Sequence, residues 1–159
     1  MAARKKTAHR NWGAHGQKVP GRHSGDIMTQ VTRSRAMSQI RSKDTTPERM
    51  IAAALRDIGL DFEQHSSDLA GKPDFVFRDA KVTVFVDGNF WHGFRFPLWE
   101  HKLIEKWRDK IAATRSRDSR NFAKLRRLGW RVLRIWEHQV ESDSSACAER
   151  IAEAINNRP

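Results

Sequence analysis

The chain has a single cysteine, Cys147, and no tyrosine. One cysteine excludes a disulfide within the chain and a zinc site built from several cysteines. Cys147 lies in a predicted helix, and we interpret it as a small packed residue rather than a nucleophile. Long apolar runs are also missing. No run approaches the ~18 residues that a membrane-spanning helix needs, so no bilayer span is predicted.

Acidic residues are scarce beside basic ones. The 30 Lys and Arg outnumber the 19 Asp and Glu, which gives a formal charge of +11. Such an excess favours a polyanionic partner, most simply nucleic acid. A basic surface that only aids solubility is the alternative. A membrane surface is a weaker one, because no basic helix with a clean apolar face stands out. The six tryptophans serve either as core or as stacking surfaces for bases.

The sequence divides into a tail and one domain. Residues 1–30 are basic and have no apolar period, which predicts a disordered tail. Residues 31–159 are long enough for one domain with a core. Their patterns predict the order helix, helix, three strands, helix, strand, helix, or α-α-β-β-β-α-β-α. This α/β order suits a mixed sheet with helices on both faces.

Residues 71–92 are the most informative stretch. They read G-K-P-D-F-V-F, a turn at 79–80, K-V-T-V-F-V-D, and then G-N-F-W-H. Asp74 begins the first strand of this predicted hairpin and Asp87 ends the second. A carboxylate beside polar groups of a paired strand is how small nucleases hold magnesium, which prefers oxygen ligands. The alternative is an ordinary hairpin in which Asp74 is a solvated residue at the strand start.

Five pieces of sequence, in this order and spacing, resemble the very short patch repair (Vsr) DNA mismatch endonucleases. They are R-S-R-A-M-S-Q-I at 33–40, D-T-T-P-E at 44–48, G-K-P-D-F at 71–75, V-F-V-D-G-N-F-W-H at 84–92 and L-G-W-R-V-L-R-I-W-E at 128–137. The resemblance covers about residues 32–137. It implies the mixed-sheet core of restriction-endonuclease-like nucleases.

The resemblance also implies a set of site residues. Asp74 matches the metal-binding aspartate, and the main-chain carbonyl of Val86 matches the second protein ligand. His92 matches the histidine proposed to activate water, and Asp118 matches the acid that supports it. Glu48 matches a glutamate that reaches the metal through water. Without these roles, His92 is a loop hydrogen-bonding residue, while Asp118 and Glu48 are solvated helix charges.

The chemistry of phosphodiester cleavage fits these residue types. The reaction needs a cation to offset negative charge in the transition state and a base for the attacking water. Magnesium takes oxygen ligands and keeps several waters, so one carboxylate and one carbonyl make a suitable protein contribution. Histidine is the natural base near neutral pH.

Three aromatic residues also match positions in the family. Phe90, Trp91 and Trp107 match side chains that the family wedges into the duplex beside the mismatch. Unstacking costs less where a pair is already mismatched, so a wedge can generate mismatch preference. The alternative is that these rings are core. Met37 and Ile40 match a segment near the minor groove, or are simply one side of an amphipathic helix.

Two features depart from the family. The family usually holds a structural zinc ion, and at its ligand positions this chain has Asn89, Phe94, Phe96 and His138. We therefore expect no structural zinc and expect the two phenylalanines to fill its space. Asp87 stands where well-known members have a second histidine. It could bind the metal beside Asp74, or face away and receive a lysine.

The sequence therefore predicts a magnesium-dependent endonuclease that nicks one strand of duplex DNA at or near a T·G mismatch. A related restriction or defence nuclease without mismatch specificity and a retired DNA-binding module are the alternatives. The resemblance implies mismatch-repair proteins and a DNA cytosine methyltransferase system as partners. We expect no membrane partner and a cytoplasmic, nucleoid-associated bacterial protein.

Deleting residues 1–28 should weaken DNA binding and flatten its salt dependence while leaving the melting temperature nearly unchanged. This segment has six basic residues, at positions 4, 5, 6, 10, 18 and 22, against one acid, Asp26. Each phosphate contact contributes a slope of roughly 0.9 in log affinity against log salt. Duplex titrations at several salt concentrations measure the slope. An unchanged slope would mean that the tail does not touch DNA.

Overall fold

The computed structural model describes residues 43–157. Within them the chain forms four helices, four strands and two short 3-10 helices, at Phe96–Leu98 and Glu100–Lys102. The longer elements are α1 Thr46–Asp57, β1 Glu63–Gln64, β2 Phe75–Phe77, β3 Val82–Asp87, α2 Glu105–Arg127, β4 Arg131–Trp136, α3 Glu137–Ser142 and α4 Ser144–Asn156. The basic tail and the predicted first helix with Met37 and Ile40 lie outside the described residues.

The strands form one mixed sheet in the order β1-β2-β3-β4. β2 pairs antiparallel with both β1 and β3, and β3 pairs parallel with β4. The β2–β3 hairpin is the one that the sequence predicts. Its turn ends at Lys81, which has a φ of +50°. Parallel strands need a long crossover, and the aromatic loop together with α2 supplies it between β3 and β4.

Helices cover both faces of this sheet, because the strands are apolar on both sides. Alternate residues of β3, Val82 and Val84, pack with α1, α3 and α4 in the larger core cluster. Phe85 points the other way and packs with Phe122 and Leu125 of α2. This alternation is the period-two pattern of a strand buried on both faces. It fixes which face each polar residue of β3 occupies.

The start of α1 is locked by a reciprocal cap. Thr45 is the N-cap, and its Oγ1 accepts from the Glu48 amide at 3.5 Å while donating to Glu48 Oε1 at 2.8 Å. The carboxylate also accepts from the Asp44 amide at 2.8 Å. The sequence T-T-P-E at 45–48 predicts a threonine N-cap, proline at the first helical position and glutamate in the first turn. The threonine cap and the glutamate are confirmed, but the cap is Thr45, one residue earlier than this pattern implies. Pro47 occupies the second helical position rather than the first, because the helix begins at Thr46.

The long helix starts later than the sequence predicts, and one helix is additional. The sequence pattern predicts the long helix from about Lys102 to Leu128, but it begins at Glu105 because a 3-10 turn occupies Glu100–Lys102. Its end is as predicted, since Gly129 follows with a φ of +82°. The short helix α3 was not predicted. It follows β4 directly, and the Trp136 amide donates to Gln139 Oε1 at 3.0 Å to start it.

The observed order and mixed sheet are those of the restriction-endonuclease-like fold. Among the described residues, no helix combines the length and the apolar character needed to cross a bilayer. Two acidic residues lie at one end of the sheet, where β3 ends at Asp87 and β2 begins after Asp74. The candidate site lies there.

Candidate active site

Asp74 directly precedes β2 at the open end of the β2–β3 hairpin, and β3 holds it in place. Its amide donates to the Val84 carbonyl at 2.9 Å, and its Oδ2 accepts from the Val86 amide at 2.7 Å. In an extended residue the amide and carbonyl point to the same neighbouring strand, so the Val86 carbonyl faces the Asp74 side of β3. The predicted pair of ligand groups, Asp74 and the Val86 carbonyl, is therefore brought to one edge.

The pKa of Asp74 is raised to about 7, mainly because burial removes its carboxyl group from water. The Val86 amide opposes this rise, whereas the charges of Glu48 and Asp87 add to it. His65 lowers the value slightly. Within residues 43–157 Asp74 forms no ion pair with a lysine or arginine. The site thus concentrates negative charge around Asp74 without a fixed cation to balance it.

Glu48 is buried, at 3% exposure, and faces the same site. Beside its cap contacts, its Oε2 lies 3.7 Å from His65 Nε2. That nitrogen is also 3.1 Å from Asp44 Oδ1. The His65 amide donates to the Asp74 carbonyl at 3.1 Å, so β2 holds this histidine in place. Glu48 is therefore a fixed carboxylate and not a solvated helix charge.

His92 contacts two carboxylates through one ring nitrogen. Its Nδ1 lies 2.7 Å from Asp118 Oδ2 and 3.3 Å from Asp87 Oδ1. Ionised carboxylates only accept hydrogen bonds, so Nδ1 carries a proton. In the neutral ring the other nitrogen, Nε2, then keeps a lone pair with which to accept one. Asp118 and His92 meet as the sequence predicts.

Arg134 of β4 completes this group. Its Nη2 lies 3.1 Å from Asp118 Oδ2, and its Nε donates to Asp87 Oδ2. The guanidinium lies over the Trp136 ring, with Cζ 4.3 Å from the ring centroid. Asp87 thus faces α2 and receives an arginine, where the sequence suggested either a metal or a lysine. Whether Asp87 also binds metal stays a prediction.

Burial raises the pKa of Asp87 above its usual value, and the charge of Asp118 adds to the rise. His92 and Arg134 oppose it by offering positive charge and, for Arg134, a hydrogen bond. Asp87 and Asp118 are 5% and 8% exposed, so both depend on these partners. Unlike Asp74, Asp87 and Asp118 are in direct contact with Arg134 and His92.

The predicted wedge residues form one aromatic cluster. Phe90 lies 5.2 Å from Trp91 between ring centroids, and it stacks on Trp99 at 5.7 Å. Trp107 meets Trp91 at 5.6 Å and is 7% exposed, whereas Phe90 and Trp91 are half-buried. Lys110 Nζ lies 5.0 Å above the Trp91 ring. Insertion into DNA requires Trp107 to leave this cluster, while Phe90 and Trp91 are partly accessible already.

Three of the four positions that match the family's zinc ligands are in contact. Asn89 Oδ1 lies 2.6 Å from His138 Nδ1, and the rings of Phe94 and His138 are 4.5 Å apart. Phe94 also meets Trp136 edge-on at 5.0 Å. Phe96 is buried, at 3%, with its ring 5.2 Å from that of Trp99. Apolar and amide side chains therefore fill this region, and the absence of zinc stays a prediction.

Two side-chain groups among the described residues bring three potential metal ligands within 4.8 Å of one another. They are Asp44, Glu48 and His65, and Asp87, His92 and Asp118. Sequence reasoning missed His65 and Arg134. His65 lies in a polar loop with no spacing signal. Arg134 has one signal: strand alternation puts it on the same face as Val132 and Trp136, toward α2.

The chain is similar in sequence to a known protein family and to several known proteins. The sequence profile of a family described as DNA mismatch endonuclease Vsr matches residues 25–97. A type II nicking enzyme of Neisseria meningitidis serogroup C is 37% identical over 139 residues, covering 84% of this chain and 92% of that protein. A type II nicking enzyme of Xanthomonas oryzae pv. oryzae is 37% identical over 133 residues, or 82% of this chain and 97% of the enzyme.

The DNA mismatch endonuclease Vsr of Escherichia coli K12 is 33% identical over 132 residues, covering 82% of this chain and 85% of that protein. Identity at this level over most of both chains places them in one family. This chain therefore belongs to the Vsr family of DNA mismatch endonucleases, and it is an endodeoxyribonuclease.

Proposed function

We propose that the enzyme uses magnesium to nick one strand of duplex DNA at or near a T·G mismatch. The observation that carries the proposal is the charge balance at Asp74. Its carboxyl group is withdrawn from water, lies near two other carboxylates and has no lysine or arginine partner within residues 43–157. A bound divalent cation would remove this imbalance.

The donor set fits magnesium. Asp74 offers a carboxylate oxygen and Val86 a main-chain carbonyl on the same edge, while Glu48 is held nearby as an acceptor for metal-bound water. Hard oxygen ligands and few protein contacts are what this ion favours. Bound there, the ion would offset the negative charge that develops on the phosphate during cleavage.

In this proposal His92 takes the proton from the attacking water. Its Nδ1 is committed to Asp118 at 2.7 Å, so Nε2 is the nitrogen free to act as the base. Asp118 fixes the ring and stabilises its protonated form. The aromatic loop that follows β3 carries Phe90 and Trp91, so the same loop supplies the wedge and the base.

Mismatch preference is proposed to come from this wedge. Phe90 and Trp91 stand next to His92 in sequence, and inserting a ring into the duplex is easiest where pairing is already weak. The closely related alternative is nicking without mismatch preference. The relatives described as type II nicking enzymes keep that alternative open, since their names state nicking alone. Mismatch-repair proteins and a DNA cytosine methyltransferase remain proposed partners, inferred from the family resemblance alone.

Asp74→Ala should abolish nicking while leaving duplex affinity nearly unchanged, because Asp74 serves the metal and makes no positive contribution to phosphate binding. We expect a fall of about 100-fold or more in rate. The assay compares T·G-mismatched and matched duplexes with and without magnesium, and Asp61→Ala, which removes an exposed carboxylate, is the control. Residual nicking above a few per cent would show that the metal site lies elsewhere.

Asp74→Asn should raise the melting temperature of the metal-free protein at pH 8, by on the order of 5 °C. The folded-state pKa, about 7, is above the ordinary value of 3.8, so the carboxyl group stabilises the fold fully below pH 3.8. That stabilisation is lost as pH rises through 7. Asparagine stays neutral and still accepts from the Val86 amide. Equal melting curves for both proteins from pH 5 to 8 would contradict the charge imbalance.

Magnesium should raise the melting temperature of the wild-type protein at pH 8 and leave that of Asp74→Asn unchanged. The gain follows from binding to the folded state alone. Asp61→Asn is the control here and should respond as the wild type does.

Phe90→Ala and Trp91→Ala should each reduce activity on mismatched DNA more than they reduce binding to matched DNA. A lost stacking contact costs about 1–3 kcal/mol, or roughly 5- to 150-fold. Leu98→Ala is a suitable control, because Leu98 is an exposed apolar residue, at 68%, on the same loop. Equal losses on mismatched and matched duplexes would assign these rings to the core.

A further inference from the structure

Arg134 and Asp87 form a pair that nothing in the mechanism above uses. Asp87 ends β3, and Arg134 projects from the neighbouring parallel strand β4, where it pairs in register with Phe85. Residues two apart on a strand share a face, so Phe85 and Asp87 both face α2. Arg134 meets Asp87 on this face, below the aromatic loop.

The guanidinium contacts two carboxylates and two aromatic rings and is partly exposed. It donates to Asp87 through Nε and reaches Asp118 Oδ2 through Nη2 at 3.1 Å. Its flat faces are covered by Trp136, at 4.3 Å from Cζ to the ring centroid, and by Phe122, at 5.3 Å. Phe122 lies one turn after Asp118 on α2, so the same helix presents both the carboxylate and the ring. These four contacts restrict the orientation of the guanidinium.

The position of His92 depends on Arg134, because both carboxylates that accept from His92 also contact Arg134. Asp118 and Asp87 lie 2.7 and 3.3 Å from the same Nδ1. Two nearly buried carboxylates that face one nitrogen repel each other, and a buried charge without a partner is strongly destabilising. Arg134 touches both of them. A planar fork with several donors can bridge two carboxylates in this way, whereas a lysine ammonium is a single point of charge.

We propose that Arg134 is a positioning residue for the nuclease reaction: by bridging Asp87 and Asp118 it holds both carboxylates on His92 Nδ1 and so keeps Nε2 as the proton acceptor. Asp87 then belongs to the histidine and not to the metal. Asp87, His92 and Asp118 are close enough to share a metal ion, but the guanidinium already occupies the positive position among them. This role for Arg134 rests on the proposed function of His92.

The kinetic test uses Arg134→Gln and Arg134→Lys in the full-length protein, with Arg127→Gln as the control at an exposed arginine of α2. Arg134→Gln should lower kcat for nicking by about 10- to 100-fold and leave KM and duplex affinity within about twofold. Arg134→Lys should recover only part of the loss, because it cannot bridge both carboxylates. A rise in KM with kcat unchanged would make Arg134 a DNA contact and overturn the proposal.

The second readout needs neither metal nor activity. Long-range proton–nitrogen NMR reports which nitrogen of His92 carries the proton. The wild type should show the Nδ1-protonated ring, and Arg134→Gln should show a mixture in which Nε2 is protonated in part of the molecules. An unchanged His92 spectrum in a folded Arg134→Gln protein overturns the proposal. If the wild type nicks no duplex, the proposed function fails, and the NMR comparison still decides the role of Arg134.

The pairing itself is tested by adding Asp87→Asn. If Arg134 serves to balance Asp87, the double variant Asp87→Asn/Arg134→Gln should lose less than the product of the two single losses, in both kcat and melting temperature. This variant also guards against misfolding of Arg134→Gln, since it leaves no unpaired charge at residue 87. Strictly multiplicative losses would show that the two residues act independently.

Discussion

Four carboxylates crowd the end of the sheet where β3 runs out, and the cost of placing their charge away from water governs the rest of the site. The charges of Glu48 and Asp87 raise the pKa of Asp74, and the charge of Asp118 raises the pKa of Asp87. These carboxylates are stabilised by different partners. Glu48 is satisfied by the cap of α1, whereas Asp87 and Asp118 share Arg134 and His92. Within residues 43–157, the carboxylate of Asp74 has only the Val86 main-chain amide as a hydrogen-bond partner.

The strand geometry determines which partners each carboxylate contacts. Asp74 lies on the hairpin side of β3, so its neighbours are the Val86 main chain and α1. Asp87 lies on the α2 face, so it meets Arg134 and His92. Among residues 43–157, β3 thus separates a carboxylate without a lysine or arginine partner, Asp74, from one that pairs with Arg134, Asp87. In the proposed function the first side would hold the metal and the second would handle the proton.

The sequence predicts much of this site because its signals are local. The hairpin, the cap at Thr45 and the P-D strand start are read from a few neighbouring residues, and the family resemblance implies the contact between His92 and Asp118. Arg134 is different. Its partner Asp87 is 47 residues away, and an arginine in an alternating strand is ordinarily read as solvent-facing. Only the parallel register of β3 and β4 reveals the pair. His65 was missed for a similar reason, because a loop histidine gains meaning only when the sheet brings it to Glu48.

The aromatic loop shows a second limit of local reasoning. The sequence leaves Phe90, Trp91 and Trp107 open to a core or a wedge role, and the structure shows that they differ in burial. Trp107 is buried beneath Phe90 and Trp91, which remain half-accessible. Sequence gives the residue types, whereas the depth of each ring depends on how α2 packs below the loop.

The central claim is that the divalent cation binds at Asp74 and not within the group around His92. Anomalous diffraction from crystals grown with manganese in place of magnesium tests it most directly. The account predicts a peak bonded to the Asp74 carboxylate and the Val86 carbonyl, with Arg134 still bridging Asp87 and Asp118. A peak bonded to Asp87, His92 and Asp118, with the guanidinium displaced, would contradict it.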